Sequence, residues 1–118
     1  MSEFAGTIRL GERVAYYVDF PCSSGSAYIS GTPTVAVRDF YSGTVIRLGT
    51  AVTGMSGTVA GTPVASPRAW WLFDTVSPGT VPLGWVSLCF QGSVVGSDGM
   101  ARVEEPKIDV LIVDAWGG

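Results

Sequence analysis

Residues 66–78 read SPRAWWLFDTVSP, with Trp70 and Trp71 side by side. The run AWWLFDTV is rich in aromatic and β-branched residues and is bounded by Ser and Pro, the signature of a strand. Successive side chains of a strand point to opposite faces, so the two indoles must diverge. One enters a core, and the other needs a cover. A layered β structure meets the first demand; the second demand is a question about function.

The same period of two runs along the chain. In RVAYYVDF (13–20), Val14, Tyr16, Val18 and Phe20 share a face opposite Ala15, Tyr17 and Asp19. Residues 21–33, PCSSGSAYISGTP, read as a loop on their Pro, Gly and Ser content. TVAVRDF and a second strand over Thr44–Leu48 flank Ser42-Gly43, which predicts a hairpin. In GWVSLCFQGSVV (84–95), Val86, Leu88 and Phe90 oppose Trp85, Ser87 and Cys89. Asp98-Gly99 between two β-branched runs is the clearest hairpin signal. In KIDVLIVDAW (107–116), near-continuous apolarity predicts a central strand covered on both faces. No window carries a helical apolar stripe, and the Gly, Pro and Thr density opposes one. The expected fold class is all-β, one antiparallel β-sandwich of seven or eight strands, with a small barrel as the alternative.

At 118 residues the chain is expected to form a single domain over 1–118. Within it, an N-terminal arm spans 1–11 and an extended, uncharged, glycine-rich loop or arm spans 49–67. Charged residues make up 14% of the chain, against about 25% in ordinary soluble proteins. Part of the exterior is therefore expected to be covered rather than wet. The net charge is −3, with one lysine and scattered arginines, so neither nucleic acid nor an anionic membrane is an expected partner. MSEFAGTIRL lacks the basic head and long apolar stretch of a signal peptide, so synthesis in a cytoplasm is expected. Cys22 and Cys89, 67 residues apart, suit an inter-sheet disulfide by spacing, but without an export signal they are expected reduced.

Histidine is absent, which removes His-based triads, dyads and metal sites. No CxxC pair, phosphate loop or calcium loop occurs, and no cofactor is expected. Asp39 and Asp74 both follow apolar strands and are the one carboxylate pair to weigh for hydrolytic chemistry. Ion pairing at a strand end is the ordinary fate of such acids, and the chain is expected not to be an enzyme. The aromatics remain. Trp85 and one of Trp70 and Trp71 are expected in the core. The other indole anchors a protein interface or stacks on a sugar ring, with Tyr41 as a second platform and Asp39 or Asp74 as hydroxyl acceptors. Trp and Arg are enriched in interface hot spots, and RAWW supplies both. The candidate interface residues are thus Trp70, Trp71 and Arg68, joined by Phe4 and Ile8 of the N-terminal arm and Met55 and Val59 of the long arm. The N-terminal arm is expected to add a strand to a neighbour's sheet edge.

The succession VAVRDFYSGTVI, AWWLFDT, GWVSLCFQGSVVGSDG and KIDVLIVD resembles the Ig-like β-sandwich domains of tailed-phage virion proteins over about residues 12–114. No tryptophan follows Cys22 at the spacing of true immunoglobulin domains. The resemblance implies a virion structural protein, above all a head decoration or cement protein, with neck, tail and baseplate subunits as alternatives. It implies major capsid or other virion proteins as partners, a homo-oligomer, and a place in the virion after synthesis in the host cytoplasm. A carbohydrate-binding module is the rival from another class.

Overall fold

The computed structural model describes residues 3–20, 27–53, 67–76 and 81–114. Among them all regular structure is β, in two sheets. The strands are β1 (Glu3–Arg9), β2 (Arg13–Asp19), β3 (Ala27–Asp39), β4 (Val45–Thr50), β5 (Val52–Thr53), β6 (Arg68–Asp74), β7 (Gly84–Gly96), β8 (Ala101–Glu104) and β9 (Lys107–Val113). The larger sheet runs β1-β9-β7-β3-β4, with β8 also on β7, and the smaller sheet runs β2-β6-β5. β8 and β9 meet β7 in one register, from Val95↔Ala101 to Gly84↔Ile112. They act as one long strand, interrupted where Pro106 has no N–H; its carbonyl still accepts from Phe90 at 2.9 Å.

The alternation read from sequence decides what each sheet buries. Val35 and Val37 of β3, Val86, Leu88 and Phe90 of β7, and Ile108, Val110 and Ile112 of β9 point inward from the larger sheet. Tyr16 and Val18 of β2 and Ala69 and Phe73 of β6 meet them from the smaller one, in a single core cluster. Large faces small across the interior. A Cβ on Gly92 would lie 3.1 Å from the Phe20 ring, and one on Gly49 would lie 2.7 Å from Trp71 Nε1. Both glycines leave the space that these aromatic rings fill.

The hairpins at Ser42-Gly43 and Asp98-Gly99 form as expected, joining β3 to β4 and β7 to β8. Several expectations need correction. Residues 27–33 are not loop but the first half of β3, where Ala27 and Ile29 are buried against the core. An irregularity between Ser30 and Thr34 sets Gly31, Thr32 and Pro33 against Gly92 alone. Three residues against one keep the parity, so Pro33 and Val35 stay on the inner face. The second hairpin strand extends to Thr50, two residues into the supposed long arm, and β5 takes two more; residues 54–66 fall outside the described residues. The N-terminal arm is a strand of its own sheet: β1 runs parallel to β9, with Ile8 fully buried.

The chain passes between sheets at Leu10–Glu12, and one buried hydroxyl fixes that corner. Thr75 Oγ1 accepts from Gly11 N at 2.8 Å and faces the carbonyls of Glu12 at 2.7 Å and Arg9 at 3.3 Å. Thr75 N donates to Glu12 O at 3.1 Å. Replacing the hydroxyl with a methyl keeps the shape and strips these partners. Thr75→Val is expected to lower unfolding free energy by about 1–3 kcal/mol, measured by urea denaturation, with the fold retained.

Candidate protein-contact face

The antiparallel register of β2 on β6 pairs Arg13 with Asp74, Ala15 with Leu72, Tyr17 with Trp70 and Asp19 with Arg68, all on the face turned away from the core. Val14 and Phe73, Tyr16 and Trp71, and Val18 and Ala69 are the opposed pairs on the inner face. The two indoles therefore separate as strand geometry demands. Trp71 packs on the core, its ring stacked 5.4 Å from Phe73. Trp70 lies outside, its ring 4.9 Å from Tyr17 and tilted by 45°. Arg68 extends over both, its guanidinium 4.0 Å from the Tyr17 centroid and 5.9 Å from that of Trp70. Asp19 holds Arg68 through two contacts, at 2.7 and 3.3 Å, which keeps the guanidinium still more firmly protonated. Arg13 and Asp74 close the other end at 2.9 Å. Between these ion pairs lies an apolar centre in which Tyr17 is 44% and Leu72 53% exposed.

The sequence singled out Trp70 and Arg68 of this face but not Tyr17, Leu72, Arg13 or Asp19. The signal was present: alternate residues of 13–19 read Arg, Ala, Tyr, Asp, and those of 68–74 read Arg, Trp, Leu, Asp. Only the pairing of the two strands turns those strings into a face. Of the other candidates, Ile8 is occupied by its own core rather than presented to a neighbour. The backbone of Phe4 pairs with Asp109. Met55 and Val59 lie outside the described residues, as do Cys22 and Trp116.

On the outer face of the larger sheet, Ala36 and Cys89 floor a shallow depression of about 510 Å³ walled by Arg38, Leu48, Gln91, Glu105 and Lys107. Ser87 Oγ bonds Asp109 at 2.8 Å, and Gln91 Nε2 bonds Glu105 at 3.1 Å. Cys89 is a free thiol, pushed up from its ordinary pKa by burial, which opposes nucleophilic use. It points away from the smaller sheet, so an inter-sheet bridge through the core is not open to it. Trp85 shares this outward face, its ring 6.3 Å from Phe40, and so departs from the core position expected of it.

The two weighed carboxylates serve local structure. Asp39 accepts from the backbone N–H of Tyr41 and of Ser42, both at 2.9 Å, and these bonds hold it below the usual carboxylate range. Asp74 takes Arg13 and the N–H of Val76, and its carbonyl takes Arg47. Tyr41, 80% exposed, meets Phe40 edge-on at 5.2 Å. Among the described residues no cluster of three or more His, Cys, Asp or Glu is placed to hold a metal ion. Nor is any helix among them long and apolar enough to cross a membrane. Comparison with known proteins found no family model, no curated protein and no solved structure that matches the chain.

Three outcomes follow from these placements. Trp71→Ala is expected to cost about 3 kcal/mol in denaturant unfolding, because it removes a half-buried ring that packs against the core and stacks on Phe73. Trp70→Ala is expected to cost about 1 kcal/mol, the scale of its pair with Tyr17 on the outer face. Asp39 and Asp98, both held below their ordinary value of 3.8 by backbone N–H bonds, stabilise their turns when ionised. A depressed folded pKa contributes stability that is present above the unfolded value and lost as pH falls through the folded one. The double change Asp39→Asn and Asp98→Asn is therefore expected to flatten the fall in melting temperature below about pH 4, measured against wild type.

Proposed function

We propose that the chain is a non-enzymatic virion structural protein of a tailed phage, above all a head decoration or cement protein. It is made in the host cytoplasm and joins copies of itself and major capsid or other virion proteins through protein contacts. The observation that carries this is the outer face of β2 and β6, where Trp70, Tyr17 and Leu72 form an apolar centre between two ion pairs. An apolar core inside a charged rim is the anatomy of a protein interface. The low charged fraction of the whole chain agrees with a subunit that covers much of its exterior.

The strand order supports the Ig-like part of the reading. β2, β6 and β5 stand in the order of strands B, E and D, and β3, β7 and β9 stand in that of C, F and G, with β4 beside β3 as C′. The outward Cys89 and the lack of tryptophan on β3 are departures from antibody domains. A sugar platform is the weaker use of Trp70, because Arg68 already lies over the adjoining Tyr17 ring and Asp39 and Asp74 are engaged in turns.

Bound in this way, the subunit adds stability to a shell by mass action, without catalysis. The test is mass spectrometry and heat challenge of gradient-purified particles from the phage that encodes the chain. The chain is expected in stoichiometric amount on the heads, and particles lacking it are expected to release DNA at lower temperature. Recovery on tails or necks would move the subunit to those structures. Absence from purified particles would contradict the proposal.

A further inference from the structure

The outer face of β2 and β6 has a charge pattern that is complementary to itself. Its four rungs read Arg13/Asp74, Ala15/Leu72, Tyr17/Trp70 and Asp19/Arg68. The corners therefore alternate in sign: Arg13 and Arg68 on one diagonal, Asp74 and Asp19 on the other. A rigid copy turned face to face about an axis lying in the face and perpendicular to the strands reverses the rung order. Arg13 then meets Asp19 of the copy, and Asp74 meets its Arg68. At each end four charges form a square in which every neighbour has the opposite sign.

Side-chain volume selects this axis over the other in-plane two-fold. About an axis parallel to the strands the charges also match, but Tyr17 meets Trp70 and Ala15 meets Leu72, which sets the bulk at one end and leaves a gap at the other. About the perpendicular axis Tyr17 lies over Ala15 and Trp70 over Leu72, large on smaller at every rung. Sheets packed face to face cross at about 30°, which displaces charges about 10 Å from the axis by about 5 Å, within the reach of an arginine side chain. The ion pairs sit at the rim and stay wet, while the apolar rungs are at the centre.

We propose that this face is a two-fold contact with a second copy of the same chain, with the axis perpendicular to β2 and β6 between the Ala15/Leu72 and Tyr17/Trp70 rungs. The inference rests on reading the face as a protein contact and is independent of where in a particle the chain sits. Two seven-residue strands about 24 Å long offer a few hundred Å² per copy, below the roughly 800 Å² per partner of a standard interface. A weak dimer is expected, half formed at roughly 10–100 µM.

The experiment is sedimentation equilibrium of the full chain from about 5 to 500 µM, a range that brackets that constant. Wild type is expected to pass from monomer to dimer. Leu72→Arg is expected to weaken the dimer at least about tenfold, with unchanged unfolding at low concentration. Arg13→Glu and Asp19→Lys are each expected to stay monomeric alone, since each sets like charges together twice. Mixed in equal amounts they are expected to dimerise, because the changed residues then face each other with opposite signs. Wild type that stays monomeric to the top of the range would overturn the proposal while leaving particle composition to judge the virion role. A Leu72→Arg protein that dimerises like wild type would overturn it too. A mixture that fails where wild type dimerises would overturn the stated axis, since the strand-parallel axis keeps like charges together.

Discussion

The register of β2 against β6 is the constraint on which the rest of the molecule depends. Because the side-chain period is two, a slip of one residue would exchange the two faces of a strand. In the observed register Trp71 enters the core, where it stacks on Phe73 and occupies the space above Gly49 of the larger sheet. The same register sends Trp70 outward beside Tyr17 and brings Asp19 to Arg68 and Arg13 to Asp74. Core packing and surface chemistry are thus fixed by one alignment. The packing side holds it, because a slip in either direction would turn Ala69 and Phe73 out of the core and bring Arg68 and Asp74 to face it.

Much of this was legible in the residues themselves. The alternation in 13–20 and 85–90 identified opposed sets that the structure keeps, the apolar run from 107 marked a strand that lies inside the larger sheet, and Asp98-Gly99 marked its hairpin. What escaped has physical reasons. Gly31 and Pro33 signal a break, yet here they sit in an irregular stretch that keeps strand parity, so a composition rule misread β3. The parallel partner of β1 is more than a hundred residues away, and no local pattern announces it. Trp85 is expected in the core as most aromatics are, but the Val86, Leu88, Phe90 set claims the inner face and leaves the indole to Phe40. Thr75 resembles any strand-end threonine until the chain folds over it at Glu12.

The candidate face was half legible for the same reason. Trp70 and Arg68 stand together in the sequence, while Tyr17, Asp19 and Arg13 join them only across a sheet, about fifty residues distant. A sparingly charged chain has placed two ion pairs at the ends of one ladder and apolar side chains between them. Exposed ion pairs of this kind add little to stability. Their position suits them better to orienting a partner, where charge chooses register and the apolar centre supplies affinity.

The central claim is that Trp70, not Trp71, belongs to a surface that a second copy of the chain covers. Its most direct test is NMR of the indole protons with a soluble paramagnetic probe, recorded in dilute and in concentrated protein. The account predicts that the Trp70 signals gain protection as concentration rises, while those of Trp71 stay unchanged in their core environment. Protection gained by Trp71 instead, or by neither indole at any concentration, would contradict it.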